Sequence, residues 1–462
     1  MPEAQTTRSI PPASFGLIFP VAEDDSAVSK FNDSLSISRR KMLVASSAVL
    51  ISGCGKEKKK AQPTGDVSSI RRDVPLRVTY VGSDEDAERL KRSWAAVVEQ
   101  QLNIMVSPLS RVDPTTWAND LAEKSSKSDV VIIPLMAVAG LFADEQLLAF
   151  RDEDLVAWGE QSGDLLQACH TQSDYDGNPT VMPLGGQVPA LVTAEETDPI
   201  TTWDQYDQWV QKVDGKAAEP LAPGWSAAMF LWRAASSIES EWLFERDTMQ
   251  PLLESDEYVA VLDQMQQTVS RYSGAAKTPT QIWTELQDGS LDGGIAIEPA
   301  SKAAESQLFV SNLPGPQGEN RILLDPMTPV ACLASSCRQT AASKQFISWI
   351  SGGEGSETVR QNLPGFSTVR RSNIQSSERT QKQTSGYQQW LEGRLQTAVT
   401  VPPLQLIDAA EYYQTLDRGI IEGLANKADP KQKLLAISEQ WNTITKRVGI
   451  KTQRAAWRRS AG

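Results

Sequence analysis

The sequence predicts an α/β fold divided into two lobes, and two observations lead to this prediction. Between Leu76 and Ile133, segments with the pattern of strands alternate with segments with the pattern of helices, which is typical of a parallel α/β sheet. The chain has 462 residues, and single hydrophobic cores stop growing at roughly 250–300 residues, so about two domains are expected.

The first lobe begins with a strand at 76–81, where apolar and polar residues alternate. Asp84 can cap a following helix, whose apolar face is formed by Ala87, Leu90, Trp94, Val97, Val98 and Leu102. A second strand is predicted at 102–106 and a second helix at 114–124. The continuous apolar run 129–133 indicates a strand that is buried on both faces.

Later elements are shorter and less regular. Tyr175-Asp176-Gly177-Asn178 predicts a turn before a strand at 180–184. Apolar runs predict short strands at 293–297 and 328–334, with extended pieces at 309–313 and 321–324. Three late helices are predicted. The first carries an apolar stripe between Ala342 and Ile350, Asp408 can cap the second, and Pro430 can begin the third.

Residues 38–54 have the parts of an export signal. Arg39 and Arg40 precede an apolar stretch that begins at Met42, and this stretch is too short to span a bilayer, which needs roughly 20 residues. The arginine pair resembles a twin-arginine signal, and Ile51-Ser52-Gly53-Cys54 resembles a lipobox, in which the cysteine is acylated. We therefore predict a signal region at 1–53 and a charged tether at 54–73.

The composition excludes several classes of function. The net charge of −13 makes nucleic acid a poor partner, because phosphate contacts need Lys and Arg. The single histidine, His170, removes His-rich metal sites, and we interpret it as structural or solvated. Neither a metal nor another cofactor is predicted.

The cysteines do not form a disulfide scaffold. With Cys54 assigned to lipid, Cys169, Cys332 and Cys337 remain, and three thiols cannot all pair. Cys332 and Cys337 form either a small loop bridge or two separate thiols, with Cys332 in a buried strand.

Several segments, in order, resemble the solute-binding proteins of sugar-type ABC importers, the family of the maltose-binding protein. The similarity extends from residue 76 to about residue 447. The matching segments are Ser128-Asp129-Val130-Val131, Ala143-Asp144-Glu145-Gln146-Leu147-Leu148, Tyr175-Asp176-Gly177-Asn178, Pro183-Leu184-Gly185-Gly186, Ile200-Thr201-Thr202-Trp203-Asp204, Leu313-Pro314-Gly315-Pro316-Gln317-Gly318 and Ala410-Glu411-Tyr412-Tyr413.

This resemblance implies a two-lobed fold with a hinge and a cleft between the lobes. It places 74–187 and 297–335 in the first lobe and 188–296 and 336–462 in the second. The implied protein is a monomeric, non-catalytic receptor, lipid-anchored outside the cytoplasm, that captures a carbohydrate or similar polar molecule and delivers it to an ABC permease.

The resemblance also implies a set of ligand-binding residues in the cleft. Some have an alternative: Asp84 as a helix cap, and Trp225 and Met229 as part of a helical core stripe. Tyr413 is predicted to pack in the core beside a ligand-facing Tyr412. The predicted ligand-binding residues are Ser83, Asp84, Gln187, Trp225, Met229, Glu298, Asp325, Met327 and Tyr412.

Two departures from the family pattern leave other functions open. The strand after Asp129 continues as Ile133-Pro134-Leu135-Met136, and Asp325-Pro326 replaces a pair of glycines. One alternative is a secreted enzyme acting on carbohydrate through paired carboxylates such as Asp84 and Glu298, which would have to lie roughly 5 to 9.5 Å apart. The other is a sensor or scaffold that keeps the fold and transports nothing.

Overall fold

The computed structural model describes residues 72–299, 308–352, 358–360, 362–371 and 385–460. The predicted signal region, Cys54 and most of the tether lie outside the described residues. The described part of the chain belongs to one compact unit, 65–462.

Two sheets organise the molecule. The first has the order 102–108, 76–82, 130–134, 329–334 and 147–148, with 182–183 also paired to 329–334. The strand Leu76–Gly82 is parallel to both of its neighbours, which confirms the predicted α/β start. The second sheet has the order 309–311, 190–193, 293–296 and 217–218. The strands are Leu76–Gly82, Leu102–Pro108, Val130–Pro134, Leu147–Leu148, Asp174–Tyr175, Asn178–Pro179, Met182–Pro183, Ala190–Thr193, Ala217–Ala218, Gly293–Ala296, Phe309–Ser311, Arg321–Ile322, Pro329–Ala334 and Val399–Thr400.

Helices cover both sheets. The named α-helices are Asp84–Ala95, Pro114–Ser125, Val138–Ala143, Asp152–Ser162, Gln167–Ser173, Trp203–Lys212, Ser226–Ser237, Asp256–Val269, Pro279–Gln287, Thr340–Ser351, Gly386–Thr397, Ala409–Asn426, Pro430–Val448 and Ile450–Ser460. We call the first sheet and the helices packed on it the first lobe. The second sheet and its helices, together with the bundle of 226–237, 256–269, 409–426 and 430–448, form the second lobe.

The path of the chain differs from the predicted domain boundaries at two places. The first crossing lies between Met182–Pro183 and Ala190–Thr193 and encloses Gln187. The predicted return at Ile297 is wrong, because Phe309–Ser311 still pairs with the second sheet. The predicted crossing at Ser335 is also wrong, because Phe346 of the following helix packs edge-on against Trp94 in the core of the first lobe.

The apolar core continues from one lobe into the other. One cluster lies within the first lobe and includes Leu90, Trp94 and Phe346. A larger cluster joins Trp117 of the first lobe to Met229 of the second. The two lobes are therefore in direct contact in this structure.

Candidate functional site

Four side chains from separate segments meet at the junction of the lobes, and we call them the interlobe cluster. Arg111 lies on the loop after the strand Leu102–Pro108, and Trp225 immediately precedes the helix Ser226–Ser237. Asp325 lies on the segment that leads into the strand Pro329–Ala334, and Tyr413 belongs to the helix Ala409–Asn426.

Arg111 is held by an aromatic face and a carboxylate. The central carbon of its guanidinium group lies 3.5 Å from the centroid of the Trp225 ring. Its Nη2 donates a hydrogen bond to Asp325, whose side chain is only 3% exposed, whereas that of Arg111 is 16% exposed. Burial lowers the pKa of Arg111, but the Asp325 carboxylate and the Tyr413 hydroxyl outweigh this effect and raise the pKa above its usual value. Arg111 therefore stays charged.

A glycine lets the two backbones approach each other at this point. Gly224 has a φ of +86°, and a Cβ atom there would lie 2.6 Å from the Cβ of Arg111. Its N–H donates to the carboxylate of Asp417 over 2.7 Å, and its carbonyl accepts from the hydroxyl of Tyr413 over 2.8 Å. The helix Ala409–Asn426 thus fixes the turn that carries Trp225.

Further polar contacts close the junction beside the cluster. Gln414 donates to Asp113 over 3.0 Å, and Gln405 donates to the carbonyl of Leu135 over 3.3 Å. A cavity of about 20 Å³ lies nearby, with Val188 and Trp232 in its lining. This volume holds about one water molecule, whereas ligand sites commonly occupy roughly 300–1,000 Å³.

The structure brings four of the predicted site residues together. Trp225 and Asp325 belong to the cluster itself. The carbonyl of Gln187 accepts the N–H of Asp325 over 3.3 Å, and the N–H of Met327 donates to the Asp325 carboxylate over 3.1 Å. All four therefore lie at or beside the junction, although Met327 is buried.

Ser83 and Asp84 are exposed at the start of the helix Asp84–Ala95. The hydroxyl of Ser83 accepts the N–H of Asp86 over 3.0 Å, so Ser83 caps this helix. The prediction that Asp84 is the cap is therefore wrong. Asp84 lies in the first turn instead, where a negative charge favours the helix dipole.

Glu298 is buried in a different place. Its Oε2 accepts hydrogen bonds from Ser385 over 2.7 Å and from Gln388 over 2.9 Å, rather than from the interlobe cluster. Burial raises the pKa of Glu298, although the hydrogen bonds from Gln388 and Ser385 oppose the change.

The predicted ligand-facing role of Tyr412 does not agree with its position. The ring has no exposed surface, its hydroxyl lies 2.7 Å from that of Thr445, and it packs against Trp441 at 5.5 Å between centroids. Its neighbour Tyr413 is also fully buried, which confirms its predicted place in the core, and its hydroxyl lies beside Arg111. Adjacent helical residues point in different directions, and the Tyr-Tyr pair alone does not say which one faces the junction. Met229 is also fully buried, which favours its core alternative.

Arg111 was not predicted as a site residue, although a signal for it exists in the sequence. It follows the carboxyl end of a predicted parallel strand, and ligand sites of α/β sheets gather at these ends. Tyr413 offered no comparable signal.

Other predictions can be compared with the described residues. Cys169, Cys332 and Cys337 are free thiols, with Cys332 buried in the strand Pro329–Ala334, and His170 is exposed. Within the described ranges, no group of His, Cys, Asp or Glu is placed to hold a metal ion. None of the described helices has the length and apolar character needed to cross a membrane.

The fold is that of the two-lobed maltose-type binding proteins, as the sequence predicted. The maltose-bound MalE3 of T. maritima matches with a TM-score of 0.60 and 14% identity, over 80% of this chain and 99% of that chain. The GacH receptor of Streptomyces glaucescens GLA.O, described both without ligand and in complex with acarbose and an acarbose homolog, matches with a TM-score of 0.60 and 11% identity, over 81% of this chain and 99% of that chain. No family model matches the sequence, and no curated protein is significantly similar to it.

Proposed function

We propose that this protein is a non-catalytic receptor that captures a carbohydrate or a similar polar small molecule between its two lobes. The observation that supports this function best is the meeting of Trp225, Asp325 and Gln187 where the lobes join, on a fold shared with proteins bound to maltose and acarbose. An aromatic face suits the CH face of a sugar, and a carboxylate suits its hydroxyls.

Because the lobes touch in this structure, a ligand of sugar size requires them to separate. Hinge bending between two lobes is a common form of such motion. Arg111 and Trp225 come from different lobes, so their contact would break as the lobes separate and would expose the indole face.

A screen of melting temperature on the purified protein tests this function. A ligand that binds only the folded state raises the melting temperature by mass action. Maltose, acarbose and a panel of neutral sugars are compared, and we expect at least one to stabilise the protein while Trp225→Ala loses the response. A panel that leaves the melting temperature unchanged, at concentrations up to the millimolar range, would argue against a sugar receptor.

A second candidate function is a sensor or scaffold that keeps the fold without transporting a solute. The direct contact between the lobes favours it, because Arg111 and the loop around Gly224 fill the junction. Small-angle scattering separates the two: a receptor whose lobes separate around a ligand changes its radius of gyration when a sugar found in the screen is added, whereas a scaffold keeps its radius of gyration.

We also propose that Cys54 carries a lipid anchor and that the receptor delivers its ligand to an ABC permease. The support is the order of basic, apolar and small residues before Cys54. Cys54→Ala is expected to abolish processing or membrane association, with Cys337→Ala as the control that retains both. Normal fractionation of Cys54→Ala with the membrane would overturn the anchor, and unaffected export of the Arg39→Lys, Arg40→Lys variant would overturn the twin-arginine route.

A further inference from the structure

We propose that a groove in the helical bundle of the second lobe binds a small organic monocarboxylate at Arg418. The groove lies between the helices Ala409–Asn426 and Pro430–Val448 and has a volume of about 140 Å³. A cavity of roughly 150 Å³ can hold a molecule of the size of benzene, so a short carboxylic acid fits into this volume. The site goes beyond the proposed receptor function and does not depend on it.

One face of each helix builds the groove. Residues three or four positions apart lie on the same face of a helix, and the lining residues of both helices follow this spacing. The lining residues with polar side chains are Thr415, Arg418, Glu422, Lys433 and Gln440.

The groove is separate from the interlobe cluster, although both involve the helix Ala409–Asn426. Tyr413 and Asp417 contact Gly224 through hydrogen bonds and therefore face the junction. The groove residues Thr415 and Arg418 occupy a different face of the same helix. A molecule in the groove would therefore leave the junction free for another ligand.

Three polar groups in the groove are left for a ligand. Across the part of the chain that the structure describes, the hydroxyl of Thr415, the guanidinium of Arg418 and the amide of Gln440 have no hydrogen-bond or ion-pair partner. Thr415 is only 7% exposed, and buried polar groups are normally hydrogen-bonded. A ligand in the groove would supply the missing partners.

The charges in the groove favour a ligand with a single negative charge. Lys433 pairs with Glu422, so these two charges compensate each other and Arg418 keeps one uncompensated positive charge. A guanidinium group offers two parallel N–H donors that match the two oxygens of a carboxylate. A second negative charge on the ligand would be repelled by Glu422, so a monocarboxylate fits better than a dianion.

Gly419 shapes the floor of the groove. It lines the groove without a side chain, and a Cβ atom there would lie 2.5 Å from Cδ1 of Ile437. A larger residue would push the two helices apart or fill the space. The close approach of the helices at Gly419 thus fixes the distance between their polar side chains.

Saturation-transfer NMR that observes the ligand tests the site, with sodium propionate compared with propionamide at constant ionic strength. Propionamide has a similar shape and no charge. The wild type is expected to transfer saturation to propionate and not to propionamide. Arg418→Ala should weaken propionate binding by about tenfold, because a hydrogen bond between charged groups is lost.

Arg447→Ala is the matched control. Arg447 is another exposed arginine of this bundle, but it pairs with Asp408 and Glu411 and does not line the groove. Arg447→Ala should therefore bind propionate like the wild type. Unchanged binding in Arg418→Ala, an equal loss in Arg447→Ala, or equal transfer to propionamide would overturn the site.

Glu422→Gln provides a second test that keeps Arg418 in place. This variant removes the charge that repels a second carboxylate, so malonate should bind it more tightly than it binds the wild type. Propionate should still bind. A malonate affinity that does not change, or that falls, would contradict the charge argument and overturn the preference for a monocarboxylate.

Discussion

Two arginines in this molecule have almost the same surroundings and differ in where they lie. Arg233 pairs with Glu219, and its guanidinium carbon lies 3.9 Å from the centroid of the Trp203 ring, inside the second lobe. Arg111 pairs with Asp325 and lies 3.5 Å from the centroid of Trp225, between the lobes.

The two arginines differ in whether their partners belong to one lobe or to both. Arg233 is 1% exposed, and the hydroxyl of Tyr272 donates to its partner Glu219 over 2.7 Å. All parts of this network belong to one lobe, so a hinge motion leaves it intact.

Arg111 and Trp225 belong to different lobes, so opening can break their stacking contact. Asp325 stays beside Arg111, because its segment is hydrogen-bonded to Leu135 and Met136 of the first lobe. The comparison teaches that the location of such a pair, rather than its chemistry, separates a structural contact from a candidate binding site.

Arg233→Ala should give the largest loss of stability. Removing one partner of a buried ion pair typically costs about 3–5 kcal/mol, because the remaining charge is buried without compensation. Urea unfolding measures the change in the free energy of unfolding, and the double variant Arg233→Met, Glu219→Leu should recover much of it. A loss below about 1 kcal/mol for Arg233→Ala would remove the contrast with Arg111.

Tyr412→Ala extends the comparison to aromatic rings. Truncating a fully buried ring costs about 3–5 kcal/mol, whereas Trp225→Ala should cost less because this ring is partly exposed at the junction. Denaturant unfolding measures the stability loss of both variants, and the ligand affinity of each is measured alongside it. If Trp225→Ala unfolds the protein as severely as Tyr412→Ala and the folded fraction binds normally, Trp225 is a core residue.

Arg111→Ala should cost less than Arg233→Ala, about 1–3 kcal/mol, since the lost cation–π contact is worth about 2 kcal/mol and water can reach Asp325 once the lobes part. The radius of gyration of the variant is the more informative measurement. Small-angle scattering should show a larger radius of gyration for Arg111→Ala and an unchanged radius for the conservative variant Arg111→Lys. A variant as compact as the wild type would mean that Arg111 does not hold the lobes together.

Glu298→Gln tests a buried acid that has no arginine partner in its described contacts. Burial raises the pKa of Glu298 above its ordinary value of 4.5, so its protonated form is favoured in the folded state. The folded protein is therefore penalised as the pH rises from below 4.5 through the raised pKa. Glu298→Gln should raise the melting temperature at pH 7 and leave it unchanged near pH 3.5, and an equal effect at both values would contradict this account.

Arg459→Ala should have the smallest effect. Arg459 on the C-terminal helix lies 3.1 Å from Asp176 and 5.4 Å from the centre of the Phe142 ring, so it links this helix to the first lobe. Its neighbour Arg458 pairs with Asp247 at 2.7 Å within the second lobe and provides a matched control. Exposed pairs contribute about 0.2–1 kcal/mol, so both variants should unfold almost like the wild type. Only Arg459→Ala should increase the radius of gyration, and an equal increase in Arg458→Ala would show that the contact to Asp176 has no special role.

Part of the junction could be predicted, because the family resemblance placed several residues at cleft positions. Trp225, Asp325, Gln187 and Met327 were predicted and lie together. Tyr412 and Met229 were predicted beside them and are buried instead, because neighbouring helical positions share the same local signal. Arg111 was missed, since only the approach of the two lobes gives its guanidinium an aromatic face and a carboxylate.

The sequence by itself determined the alternating strands and helices from Leu76 to Pro134, because hydrophobic periodicity is a local property of the chain. It also determined the acidic net charge and the overall two-lobed fold. Only the tertiary structure decided that Phe309–Ser311 joins the second sheet, that Thr340–Ser351 stays with the first lobe, and that Arg111 fills the junction. A three-residue strand, an apolar helix face and a lone arginine each suit several partners, and the partner is chosen by packing between distant parts of the chain.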